Sequence, residues 1–224
     1  MIQDYKDFHK GETCVVIGNG PSLAETPLAA LQYKYATFGA NKIYGCGFTP
    51  EYWTCVDPVM LTDCIPWVIA HPKFDSETFV PRDIPLLGSH QLNISIESGF
   101  SKDAAEKVIL GGTVTFVNLQ LAWYMGVDTV LLVGVDHKYP KASIGGKAGY
   151  KFIAEGADPD HFTLADGSPY FTPGHIYNRP ELTANERYYA TAKMVFEQAG
   201  RKIVNLTPDS ALNIFEKQDW SKWI

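Results

Sequence analysis

Thr13-Cys14-Val15-Val16-Ile17-Gly18-Asn19-Gly20-Pro21-Ser22 is the stretch whose reading decides the fold. Its first half is a short, unbroken apolar run ended by glycine, which is how a strand buried on both faces of a parallel sheet reads. Its second half combines two glycines that let backbone come close to a ligand with the start of a helix. Free N–H groups and the helix dipole attract anions there. Ser22 followed by Glu25 has the spacing of a capping box, so a helix is expected from Ser22 to about Gln32.

Outward from this turn the pattern repeats. Tyr35 to Ala40, Tyr52 to Val56, Trp67 to Ala70, Thr129 to Val135 and Lys202 to Leu206 are apolar runs mostly bounded by Gly, Pro or Asp, and read as strands. Thr113 to Met125, closed by Gly126, and Glu181 to Gln198, followed by Gly200 and basic Arg201 and Lys202, read as helices. Strands alternating with helices imply βαβ units, hence a Rossmann-like, doubly wound, mostly parallel α/β sheet. His137 to Pro180 breaks the pattern with many Gly, Pro and aromatic residues, and is expected to be a lid inserted into a single domain spanning 1–224.

Composition narrows the function. A formal net charge of -6 in 224 residues gives no clustered positive footprint for nucleic acid. The polar N-terminus and the lack of an apolar run of ~20 residues point to a cytoplasmic protein without a membrane span. Cys14, Cys46, Cys55 and Cys64 include no C-x-x-C pair, so buried reduced thiols are expected rather than a zinc or redox site. Neither G-x-G-x-x-G nor Walker A is present, since Leu23 stands where the third glycine would be and no Gly-Lys-Ser/Thr follows.

The candidate site residues gather at one predicted sheet edge. Gly18, Asn19, Gly20 and Ser22 end the first strand, Asn41 follows the second and Asp57-Pro58 the third. The carboxyl edge is where open α/β sheets bind ligands. Gly112 and Thr113 precede the strongest helix and offer a second anion-accepting N-terminus. Asp136 ends the next strand, placed to hold a ribose, a metal or His137, or simply to cap a turn. His175, late in the lid, has the near-neutral titration suited to a general base. His161, near Asp158 and Asp160, reads as a loop residue or part of a weak metal site.

The order of these pieces resembles the MptE-like family, named after a 6-hydroxymethylpterin diphosphokinase, with the motility-associated flagellin glycosyltransferases among its wider relatives. The resemblance rests on Gly-Asn-Gly-Pro-Ser-Leu (18–23), Gly-Gly-Thr-Val-Thr (111–115), a strand ending Gly-Val-Asp (134–136) and Arg-Lys-Ile-Val-Asn-Leu-Thr-Pro-Asp-Ser-Ala-Leu (201–212). It is also similar to Rossmann-like bacterial sialyltransferases that use a CMP-activated sugar. That likeness implies CMP against Asn19, Gly20 and Ser22, with Asn41 touching the donor, His175 near the place of the family base, and Tyr139 near that of a tyrosine assisting the leaving phosphate. The residue after strand three is an Asn in those enzymes and Asp57 here, a carboxylate that repels phosphate where an amide accepts it.

The leading expectation is therefore a glycosyltransferase using a CMP-linked, sialic-acid-like donor and a glycan or glycoconjugate acceptor. A Mg²⁺-dependent transfer of pyrophosphate from ATP to a hydroxymethyl pterin, with Asp57 and Asp136 holding the metal, is the alternative. A catalytically silent nucleotide-sugar binding module, oligomeric or not, is a third.

Overall fold

The computed structural model describes residues 1–139, 151–178 and 180–224. The opening apolar run forms β1 (Thr13–Ile17), with Cys14 to Ile17 at most 1% exposed. After it come α1 (Leu28–Lys34), β2 (Ala36–Ala40), β3 (Tyr52–Thr54), α2 (Pro58–Ala70), β4 (Glu77–Pro81), β5 (His90–Leu92), β6 (Ile94–Ser95) and β7 (Val108–Ile109). The second half holds α3 (Val114–Tyr124), β8 (Thr129–Val133), β9 (Lys151–Ile153), β10 (Ile176–Asn178), α4 (Leu182–Gln198), β11 (Lys202–Asn205) and β12 (Glu216–Lys217). No helix among the described residues is long and apolar enough to cross a membrane.

Eight strands make one sheet in the order β12-β11-β8-β1-β2-β3-β4-β5, and every pairing in it is parallel. From the central β1 the chain winds outward through β2 to β5, then returns to β1's other side as β8. The order reverses between β1 and β8, and that reversal opens a crevice at the carboxyl ends of the two strands.

Alternate residues of the central strands feed two cores. Cys14, Val16, Val130 and Leu132 face α3 and α4, whereas Val15, Ile17, Leu131 and Val133 face the α1 and α2 side. Helices on both faces make this a doubly wound, Rossmann-like α/β sheet, as expected. Gln120 of α3, fully buried, accepts from the Ser101 and Ile109 N–H groups and donates to the Ile109 and Phe116 carbonyls, pinning the excursion that carries β6 and β7 onto the core.

Three expectations are corrected. The capping box does not form: Pro21–Glu25 is a 3-10 turn with Gly20 as its N-cap and no side-chain cap, and Pro27 separates it from α1. Trp67 to Ala70 is not a strand but the last part of α2, which runs through Pro66. Several strands end early, so that Val56, Val135 and Leu206 lie beyond β3, β8 and β11.

Within the expected lid, β9 and β10 form an antiparallel hairpin, and Phe162, Tyr170 and Phe171 are buried into the core on the α1 and α2 side. Part of that segment, residues 140–150 and 179, falls outside the described residues. All four cysteines are free thiols, three of them buried and Cys46 partly so.

Candidate functional site

The Gly18–Ser22 turn is built against the end of β8. Gly18 N–H donates to the Val133 carbonyl at 2.8 Å and Gly20 N–H to the Gly134 carbonyl at 2.9 Å. A Cβ on Gly18 would sit 2.3 Å from the Gly134 oxygen, and one on Gly20 1.8 Å from Asp136 Oδ2. The glycines are thus required by the neighbouring strand end, whatever they also allow a ligand. Ser22 ties the two turns together: its hydroxyl donates to Asp136 Oδ2 at 2.7 Å and its N–H to Oδ1 at 3.3 Å. Burial pushes the Asp136 carboxyl above the ordinary range, with the bonds from Ser22 pulling the other way.

Around this seam lies a cavity of about 390 Å³. Gly18, Asn19, Gly20, Asn41, Asp57, Gly112, Thr113, Asp136 and Tyr139 all line it, while Ser22 stands behind Asp136. Asn41 adopts φ 51°, a left-handed conformation that Asn tolerates, and its carbonyl accepts from Trp53 Nε1 at 2.8 Å. Asp57 caps α2, accepting from Val59 N–H at 2.7 Å through one oxygen, and its other oxygen accepts from Asn178 Nδ2 of β10 at 2.8 Å. Gly111 and Gly112 have φ of 61° and 76°, and Thr113 caps α3. The first turns of α2 and α3 both open onto the cavity.

Polar atoms in this wall are left without partners. Asn19 Oδ1, Asn41 Oδ1 and Asn185 Oδ1 are buried and have no hydrogen-bond partner among the described residues. All three residues line the cavity. A buried acceptor left unmade costs about 1–3 kcal/mol, so three converging on one space favour a ligand rich in O–H or N–H donors.

Titratable groups surround the same space. Tyr139 is held protonated by burial first and by the nearby Tyr189, Asp160, Asp158 and Asp136 second. His137, with φ 54°, lies 3.3 Å from Glu186 Oε1, and burial lowers its titration. His161 Nδ1 bonds Asp158 at 2.9 Å, its ring stacked on Tyr170 with centroids 4.4 Å apart.

His175, like Ser22, is a sequence candidate that the structure keeps outside this lining. Its ring stacks on Phe171, with centroids 4.8 Å apart, and its Nε2 is 3.4 Å from Asp63 Oδ2, an oxygen that also pairs with Lys42 Nζ at 2.7 Å. Burial lowers its titration. Phe171 therefore separates the ring from the cavity.

Asp57 and Asp136, the expected metal pair, each engage both oxygens with protein donors, so a cation would compete with existing bonds. No group of three or more His, Cys, Asp or Glu among the described residues is arranged to hold a metal ion. The sequence reading missed Asn185, Asn178, Tyr170, Phe171 and Tyr177 as lining residues. Asn185 sits on a helix beside the charged Glu186 and Arg187, and only the packing of α4 on α3 reveals that it is 4% exposed.

No protein-family model and no curated protein matches the chain. The resemblance to the MptE-like family thus has no matching model behind it. Among solved structures, the chain is similar to the sialyltransferase CstII from Campylobacter jejuni, determined in complex with a substrate analogue and described with cytidine-5'-monophosphate. The TM-score is 0.51 and the identity 13%, over 93% of this chain and 85% of that one. At that identity the likeness is one of architecture: this chain shares the Rossmann-like fold of a bacterial sialyltransferase.

Proposed function

We propose that the chain is a glycosyltransferase whose donor is a CMP-linked, sialic-acid-like sugar. The observation that carries this reading is the set of three unpartnered amide oxygens, Asn19, Asn41 and Asn185, around one cavity at the strand-order reversal. A cytidine nucleotide offers matching donors in its ribose hydroxyls and base amino group. The fold neighbour is a sialyltransferase described with the same nucleotide, which supports the choice of base.

The leaving phosphate would face the α3 N-terminus beyond Gly112 and Thr113, where backbone N–H groups stabilise the charge that develops. Tyr139, kept protonated by its burial, can donate a hydrogen bond to it. Tyr170, Phe171 and Tyr177 form an aromatic wall suited to a sugar acceptor. Asp57 is occupied as helix cap and as partner of Asn178, which explains how a carboxylate is accommodated where an amide is expected to meet phosphate. The same commitments weigh against the Mg²⁺-dependent diphosphokinase reading.

Calorimetric titration with CMP, CDP, UDP and ATP, each with Mg²⁺ and with EDTA, tests this. CMP is expected to bind most tightly, with less than threefold dependence on Mg²⁺. Tighter binding of ATP that requires Mg²⁺ would favour the diphosphokinase instead, and binding of none of the four would defeat both.

A further inference from the structure

The transfer proposed above needs a group to take the proton of the attacking hydroxyl, and the three histidines near the crevice differ in ways that select among them. His175 is screened from the cavity by Phe171. His137 lines the cavity, but its Nε2 faces Glu186, whose side chain is 44% exposed, so water reaches that pair. His161 lines the cavity, and its Nδ1 is engaged by a carboxylate that is almost wholly buried: the Asp158 side chain is 5% exposed.

Asp158 is itself well held. Beyond the contacts of 2.9 and 3.1 Å to His161 Nδ1, it accepts from the N–H of Asp160 at 3.0 Å and of Phe171 at 3.3 Å. Stacking on Tyr170 and an edge contact with Phe171, centroids 5.1 Å apart, fix the imidazole plane. The segment is fastened to the scaffold just after the ring: Phe162 N–H donates to the Asn19 carbonyl at 3.0 Å and Ala165 N–H to the Gly45 carbonyl at 2.7 Å. The first of these bonds places His161 beside the very turn proposed to hold the donor. A nucleophile-activating base requires this combination of an engaged Nδ1, a second nitrogen left for the substrate and a ring that does not wander.

We propose that His161, oriented by Asp158, is the general base of the transfer; this rests on the glycosyltransferase reading above. His161 Nε2 takes the acceptor hydroxyl proton as the acceptor oxygen bonds the donor's anomeric carbon. The bond from that carbon to the phosphate oxygen breaks, its electron pair leaving on CMP. The imidazolium, stabilised by the Asp158 carboxylate, then releases its proton to solvent. Water in place of the acceptor follows the same course and gives free sugar and CMP.

The test uses the full chain with CMP-N-acetylneuraminate as probe and water as acceptor, following CMP release, alongside CMP titration of the same preparations. His161→Gln is expected to lower turnover by about 10²–10⁴-fold, with CMP Kd within threefold of the parent. Asp158→Asn should move the acid limb of the rate profile to lower pH, because the charge that stabilises the imidazolium is gone; a merely structural role would leave the limb in place. The titratable and charged groups near the ring are Asp158 and Asp160 on its own segment, Tyr170 stacked on its face, Tyr139, which lines the same cavity, and Lys42, 5.5 Å from the Tyr170 centroid.

Turnover by His161→Gln within threefold of the parent, with CMP binding intact, overturns the assignment while leaving the nucleotide-sugar reading standing. So does loss on His137→Gln or His175→Gln alone. Failure of the parent chain to bind CMP overturns both.

Discussion

Replacing Asn185 with alanine should raise the stability of the free protein while weakening the CMP binding proposed for it. The side chain lies in the interior of α4, 4% exposed, with its Oδ1 buried and unpartnered among the described residues. That oxygen crowds the backbone of Gly112, where a Cβ would come within 2.6 Å of it. Removing an unmade buried acceptor returns about 1–3 kcal/mol, and exchanging Asn for Ala inside a helix adds roughly 0.5 kcal/mol. Against this stands the packing lost when the side chain is cut back, about 1–2 kcal/mol for a site bordering an existing cavity. The net is about 1 kcal/mol in favour of the variant, or roughly 2–4 °C in Tm for a chain of this size. With ligand the gain is offset, since the lost hydrogen bond of about 1 kcal/mol weakens CMP roughly fivefold. Differential scanning calorimetry with and without CMP reads both effects on one sample. A free-protein Tm lowered by several degrees, with CMP affinity unchanged, would show that Oδ1 has a structural partner and would refute the reasoning.

Three further outcomes follow from the structure. Gly20→Ala should cost about 3 kcal/mol in urea unfolding, because Gly20 at φ -73° has an ordinary backbone and its penalty comes wholly from the added Cβ meeting Asp136 Oδ2 and the Gly134 carbonyl. Gly156→Ala, where a Cβ meets nothing within 4 Å, should change stability by less than about 1 kcal/mol. The Asp158 carboxyl is pushed up by burial but pulled further down by its bonds to His161 and the Asp160 and Phe171 N–H groups, so its net titration lies below the usual range. Its contribution to stability is therefore present above about pH 4 and lost as pH falls through the folded value. Unfolding curves from pH 6 down to pH 3 should show a shallower loss in Asp158→Asn than in the parent.

How far the sequence foretold the molecule depends on how locally each feature is determined. β1 is legible to the residue because Thr13–Ile17 is apolar throughout and ends in a glycine. The helices α3 and α4 are likewise found, although Thr113 and Glu181, read as their first residues, are their N-caps. Trp67 to Ala70 misleads because a short apolar run suits a buried helix as well as a buried strand, and Pro66 looks like a boundary although α2 passes through it. Strand β4 and the edge strand β5 escape notice since one begins at an exposed Glu and the other is only half buried. Ser22 reads as a local cap, yet its hydroxyl serves Asp136, 114 residues away, a tertiary partner that no local spacing reveals. At the site, the residues next to strand ends were legible because the sheet edge gathers them. The Asp158 and His161 pair was visible only as neighbouring residues, and its value depends on how the segment is tied to Asn19 and Gly45.

The seam between β1 and β8 also bears on how the chain comes into being. Thr13 pairs with Thr129 and Ile17 with Val133, so β1, nearly all of it destined for burial, leaves the ribosome long before the strand that will cover its second edge. With translation at about 5–20 residues per second, that wait lasts some seconds. β2 can shield one side of β1 early, but the other stays an open apolar edge, the kind that templates association with other chains. The carboxyl-edge crevice cannot be complete before β8 arrives, because Gly134 and Asp136, just beyond it, are part of the lining. Nascent chains truncated before Thr129 should therefore be chaperone clients without the crevice, however well their first half is formed.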